Sequence, residues 1–318
     1  MDNKYLEQSI LAAICYFDVF DYPLTLLEIW QWLFTPTPLD QAVSLSAVKT
    51  ALEDSEYLKS RINFKNGFYF LNNRGGLIAI RLKRYGLSGQ KNKIAMKGVG
   101  LLRFLPFIKL VGLCNNSGNN NIREDSDIDL FIITSSKRLF TARFLITLAL
   151  SLVRLRRHDK KITDRLCLSF YVSQDDLDFS KIKIAASDVY LVYWIANLFP
   201  LYDRGAYDNF LAQNSWIKKY LPNHLAKAGS FRRQVFDNMS AKLSHSSLEY
   251  ILGGFMGDLL ERLLKKIQFL KMSKNNKSLA RENDSRVIIS DTMLKFHEND
   301  RRLFYQDNFL ARLKEITQ

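Results

Sequence analysis

KLVGLCNNSGNNNIREDSDIDLFIIT, Lys109 to Thr134, is the stretch on which the reading of this chain turns. Phe107 to Cys114 is an apolar run that ends among Asn, Ser and Gly, and Ile128 to Thr134 is a second apolar run rich in Ile and Phe. Both read as strands. Side chains two apart on a strand share a face, so Asp127 and Asp129 project together while Ile128 and Leu130 point to the opposite layer. Two hard oxygen donors at that spacing suit Mg²⁺, which takes one or two protein carboxylates and completes its shell with water and phosphate oxygens. Ions held in this way activate an attacking hydroxyl and stabilise a leaving pyrophosphate. The alternative is a solvated polar turn in which Asp125 and Ser126 cap the strand. An EF-hand is excluded, because Leu130 stands where its loop needs Gly.

On these residues the stretch resembles the DNA polymerase beta-like nucleotidyltransferase superfamily. That family's signature is a strand, a Gly-Ser turn opening a short helix, and a strand carrying Asp-x-Asp. Asp127-Ile128-Asp129, preceded by Ser126 and followed by Leu130-Phe131-Ile132-Ile133, matches the second half. In the first half the Gly-Ser positions fall on Asn115-Asn116, with Ser117 and Gly118 following. Asn tolerates left-handed backbone angles and can donate hydrogen bonds. The resemblance implies a central small mixed β-sheet and transfer of a nucleoside monophosphate from a nucleoside triphosphate to a hydroxyl acceptor. It implies Asp127 and Asp129 as catalytic Mg²⁺ ligands, and Asn115, Asn116 and Ser117 as contacts to the triphosphate. The family also places a third carboxylate on a later strand. The matching strand here, Arg165 to Val172, holds no acid; Ser169 sits where one is expected, with Asp164, Asp175 and Asp176 flanking it. A missing third acid removes the general base and one metal ligand. The competing reading is therefore a non-catalytic member of the fold that binds nucleic acid or a protein partner.

A length of 318 residues with 47% hydrophobic and 25% charged side chains fits a soluble globular protein of two or three domains. The start, MDNKYLEQSI, lacks the basic and apolar stretches of a signal peptide. Leu139 to Leu155, the most apolar helix, is interrupted by Arg143 and is short for a bilayer, so no membrane association is expected. Cys15, Cys114 and Cys167 are odd in number and far apart, as in a reduced cytoplasmic protein. His158, His224, His245 and His297 show no metal-ligand spacing. The net charge of +14 is unevenly placed: residues 1–56 carry −7, residues 57–123 carry +13 with no acid at all, and the rest carry +8. The acid-free segment suggests a polyanionic partner, nucleic acid or nucleotide phosphate, or else a solvated basic surface.

Three helices, Leu6 to Val19, about Leu26 to Leu33, and one bearing Leu45, Val48 and Leu52 behind Ser44 or Ser46, lead the chain, with a Pro-containing linker at Thr35 to Leu39. Leu58 to Ile62 and Gly67 to Leu71 read as a hairpin closed at Asn66-Gly67. This order resembles the winged helix-turn-helix family, in which the third helix enters the major groove. That helix carries Glu53 and Asp54 here, whereas the wing gathers Lys59, Arg61, Lys65 and Arg74. Leu77 to Leu102 reads as helix interrupted near Gly86 to Gln90, followed by Pro106. After the motif come the helix Leu139 to Leu155 and its basic end, the strand Arg165 to Val172, and a helix at about Ala185 to Leu198. The last third reads as helices at about Tyr207 to Tyr220, Ser230 to Met239, and Leu248 to Met272, a linker from Lys271 to Asp284, and a final helix with Asp300, Arg301 and Arg302. The expected fold is α+β: a winged helix-turn-helix domain over 1–75, a nucleotidyltransferase-like domain over 76–200, and a helical C-terminal region over 201–318.

Overall fold

The structure is a computed structural model, and it describes residues 3–35, 42–158, 161–185, 187–226, 233–275, 286–296 and 300–317. Of the linkers expected over Thr35 to Leu39 and Lys271 to Asp284, residues 36–39 and 276–284 lie outside the described residues, as do the first three of the helix expected from Ser230, whereas residues 271–275 are helical.

The chain is a mixed α+β protein with a six-stranded and a two-stranded sheet. The N-terminal part is α1 (Asn3–Asp18), α2 (Leu26–Gln31), α3 (Leu45–Asp54), a one-turn α4 (Glu56–Lys59), β1 (Ile62–Lys65) and β2 (Phe68–Leu71). Thr25 and Glu28 start α2 with a reciprocal capping box, and Ser44 caps α3. The expected strand at Leu58 is instead α4, which Ser55 caps. The turn falls where the sequence puts it: Asn66 and Gly67 both take positive φ, +53° and +81°, and Lys65 pairs with Phe68 across a two-residue loop. Leu24 adds an antiparallel bridge to Tyr69, so a third short extended piece lies beside the hairpin.

α5 (Leu77–Leu102) is one unbroken helix. Gly86 and Gly89 do not interrupt it: helix glycines cost only about 1 kcal/mol each, and the flanking turns hold Lys91 and Asn92 in buried positions. It leads to β3 (Ile108–Leu113), α6 (Asn115–Gly118), β4 (Ile128–Thr134), α7 (Leu139–Leu152), β5 (Leu166–Ser173), α8 (Val189–Ala196), β6 (Phe199–Asp203) and α9 (Tyr207–Gln213). α10 (Met239–Gly253) and α11 (Phe255–Asn275) meet at Gly254, so the helix expected from Leu248 is two, and residues 233–238 are not helical. β7 (Val287–Ile289), β8 (Met293–Phe296) and α12 (Arg302–Thr317) complete the chain.

The large sheet has the order β6-β3-β4-β5-β8-β7. Among its described strands β4 and β5 run parallel and the other neighbours antiparallel. The C-terminal region is therefore not purely helical, since β7 and β8 extend the central sheet at the β5 edge. They are short, three and four residues, which leaves too few alternations for a period-two signal.

Alternation along β4 separates two cores. Leu130 and Ile132 pack with α5, α7 and Leu264 of α11, whereas Phe131 and Ile133 pack with α1, α8 and Phe309 of α12. The second core is continuous across Gly75-Gly76: Tyr16 of α1 stacks on Tyr193 of α8 at 3.9 Å, and the Tyr193 hydroxyl donates to the Trp32 carbonyl. Among the described residues no helix is long and apolar enough to cross a membrane.

Candidate functional site

Asp129 lies on the β4 face that carries Phe131, with Asp127 just before the strand. In the parallel ladder Asp129 pairs with Cys167 of β5. Ligand atoms of Asp127, Asp129 and Cys167 all lie within 4.8 Å of one another. Arg157, on the segment joining α7 to β5, donates from Nη1 to Asp127 Oδ2 at 2.6 Å and reaches Cys167 Sγ at 3.6 Å.

The loop before β4 is built by asparagine. Asn115 opens α6 with φ +52°, the left-handed angle that the glycine of a Gly-Ser turn would supply. Its Oδ1 accepts from Trp194 Nε1 at 2.8 Å and from the Tyr190 hydroxyl at 3.3 Å, and its side chain also hydrogen-bonds Asp129. At the other end of α6, a Cβ on Gly118 would meet the Asn197 carbonyl oxygen at 2.6 Å, so that packing demands glycine. Ser117 is buried, and its Oγ accepts from the Asp129 backbone N–H. It fixes the loop to the strand and does not face the cleft with Asn115 and Asn116.

The electrostatics follow from crowding. Burial and then the Asp127 charge raise the Asp129 carboxyl to about 6, against the pull of Asn115 and Arg157. The Cys167 thiol is pushed up to about 12, first by burial and then by Asp129 and Asp127.

Beside Asp129 opens a cavity of about 200 Å³. Asn115, Asn116 and Asp129 form one side. Tyr190, stacked on Tyr305 at 5.5 Å, together with Trp194 and Phe20 makes an aromatic wall. Lys295, Arg301 and Arg302 form a cationic one. Lys295 and Arg302 both pair with Asp300, and Arg302 also with Asp188 at the start of α8. The Lys295 ammonium is drawn down to about 8, by burial and then by Arg302, with Asp300 opposing. Phe20, from the loop after α1, and Tyr305, from α12, show that both ends of the chain meet at this cavity.

Among the described residues no third carboxylate joins the pair in one donor group. Asp164 is bound to Lys91 at 2.9 Å, while Asp175 and Asp176 lie past the far end of β5, where they accept from Ser173 and Thr292. Cys167, two residues before Ser169, takes the place instead. The aromatic and cationic walls escape motif reading because their residues come from α8, β8 and α12, far from Asp129 in the chain.

The cations of the acid-free segment are largely spent inside the fold. Arg81 grips Glu28, Arg74 binds Asp18 and Asp21, Arg84 reaches Asp21, and Lys91 is buried against Asp164. Lys65, Lys93, Lys97 and Arg123 remain exposed.

Two carboxylate donors on one face, next to a cleft, fit a Mg²⁺ ion arriving with phosphate oxygens. A thiol in third position does not suit a second Mg²⁺. No family model matches the chain, and no curated protein or solved structure matches it.

Proposed function

We propose that the chain is a nucleotidyltransferase-like protein that binds a nucleoside triphosphate and transfers its nucleoside monophosphate to a hydroxyl-bearing acceptor. The observation that carries this reading is the Asp127 and Asp129 pair, of which Asp129 lines a cavity bordered by aromatic rings and by cations. The one-turn α6 between antiparallel β3 and β4, with β5 parallel beside them, supports a nucleotidyltransferase fold for the sheet. The Leu24 bridge to Tyr69, which adds a third extended piece to the hairpin beneath three helices, supports a winged helix for residues 1–75.

In this reading Asp127 and Asp129 hold the Mg²⁺, whose charge would neutralise the phosphates as they transfer. Asn115 and Asn116 border the phosphates, Tyr190 and Trp194 offer faces for a base to stack on, and Arg301 faces the anion from the rim. The acceptor oxygen bonds to the α-phosphorus, the bond to the bridging oxygen breaks, and pyrophosphate leaves. The acceptor proton passes to solvent, because the buried Cys167 thiol is no base near neutral pH. Positioning and charge neutralisation provide the rate.

A second reading, nucleotide or polyanion binding without transfer, is favoured by Cys167 in the place of the third acid. Its nucleic-acid contacts would run through the wing, where Lys65 and Phe64 are exposed. Titration calorimetry with ATP, GTP, CTP and UTP in Mg²⁺ tests both readings, with Asp127→Asn/Asp129→Asn as control. Binding lost in the double variant, followed by pyrophosphate release with an acceptor, supports transfer. Binding with no release across hydroxyl acceptors supports the second reading, and no binding by any triphosphate sinks the first.

A further inference from the structure

We infer that Asp127, Asp129 and Cys167 form a site for a thiophilic divalent cation of the Zn²⁺ or Co²⁺ kind, held in preference to Mg²⁺. This puts a softer ion in the place of the Mg²⁺ of the nucleotide reading, and it rests on that reading only for the role such an ion would play. The geometry comes from two neighbouring strands. The β4–β5 register sets Cys167 directly opposite Asp129, and the three donor atoms lie within 4.8 Å of one another, a spread that one ion bridges at ordinary bond lengths of about 2.0–2.3 Å after small side-chain adjustments.

The donor chemistry selects the ion. Carboxylate oxygens accept Mg²⁺, Mn²⁺ or Zn²⁺ alike, but a thiolate is a soft ligand that favours Zn²⁺ and its neighbours strongly over Mg²⁺. Cys167 is the cysteine whose sulfur belongs to the donor group; Cys114 is buried beside it, its backbone N–H bonded to the Asp129 carbonyl, and Cys15 is buried elsewhere. Two carboxylates with a thiolate make a three-ligand set, and the cavity at Asp129 leaves a further position open to water or a phosphate oxygen, the arrangement of a reactive rather than a closed site. The Arg157 Nη1 reaches both Asp127 and Cys167, so an incoming ion must displace it. On binding, the Cys167 proton leaves to solvent and the thiolate takes its place on the metal.

The test is titration of the full chain with Co²⁺, read by the near-ultraviolet thiolate-to-cobalt charge-transfer band. We expect a saturable band at one ion per chain that Zn²⁺ removes and about a thousandfold excess of Mg²⁺ leaves in place. Cys167→Ser should abolish the band and Cys114→Ser should keep it, with circular dichroism confirming that both fold. Cys167→Asp should lose the band while tightening Mg²⁺ about tenfold, read by calorimetry. Absence of the band in the native chain, or its survival in Cys167→Ser, overturns the inference. Adding triphosphate to the Co²⁺-loaded protein separates the two claims. A normal band with no nucleotide binding defeats the nucleotide reading alone, and Mg²⁺-dependent nucleotide binding with no band defeats the metal assignment alone.

Discussion

Arg157 Nη1 lies 2.6 Å from Asp127 Oδ2, one of the three donor groups of the Asp127, Asp129 and Cys167 cluster. The pair is half exposed on the arginine side, so it adds little to stability, under about 1 kcal/mol. Its effect is on occupancy, because a fixed positive charge beside the site repels any divalent ion. Arg157→Gln should tighten divalent-cation binding about three- to tenfold, with an unchanged unfolding midpoint. Calorimetry on the purified variant checks this, and weaker metal binding would show that Arg157 helps to build the site.

Asp129 carries an electrostatic cost. Burial and the neighbouring Asp127 both oppose its ionisation, so near neutral pH the folded state holds a carboxylate it would sooner neutralise. Asp129→Asn keeps the shape and removes the charge. The variant should be more stable by about 1–2 kcal/mol and should lose metal-dependent triphosphate binding. Urea unfolding at pH 7 measures the first effect and calorimetry the second; a destabilised variant would place Asp129 among structural hydrogen bonds alone.

Much of this was legible in the sequence. β4 spans the residues its apolar run marks, the Asn-Gly turn closes the hairpin, and Ser44, one of two candidates, caps its helix. Local rules sufficed because each signal is contained within a few residues. Cys167 was not legible, because the β4–β5 register slips between Asp129 and Phe131: Phe170 pairs with Phe131, so β5 carries one extra residue and the face shifts. Counting back in twos from Phe170 gives Leu168, not Cys167. The charge segregation was visible but ambiguous, since sequence cannot tell a cation facing solvent from Arg81 folded back onto Glu28.

Glu28 shows how much rests on that folding back. One carboxylate accepts from the Thr25 backbone and hydroxyl, from the Tyr22 hydroxyl, and from both terminal nitrogens of Arg81, which is nearly buried. Glu28→Ala removes the capping box and leaves the guanidinium without its carboxylate, so it should cost about 3 kcal/mol. Glu28→Gln keeps the cap and should cost about half as much. Denaturant midpoints give the comparison. Equal losses would mean that the ion pair, not the cap, joins α2 to α5.

Lys295 gives the fold a pH dependence with a defined sign. Its native ammonium is drawn down to about 8 from an unfolded value of 10.5, by burial and then by Arg302. Below pH 8 both states hold the proton and the cost of burying the charge is fully present. Between pH 8 and about 10.5 the unfolded chain holds more protons than the native one, so this group's contribution to stability rises with pH. Cys15 and Cys167, raised by burial, act in the opposite sense above pH 9, so the measurement is a difference. The stability of the native chain minus that of Lys295→Met should increase by about 1–2 kcal/mol from pH 7.5 to 9.5. A flat difference would put the ammonium in a solvated position. Because Lys295 borders the cavity beside Asp129, a bound triphosphate should hold its proton and flatten the same curve.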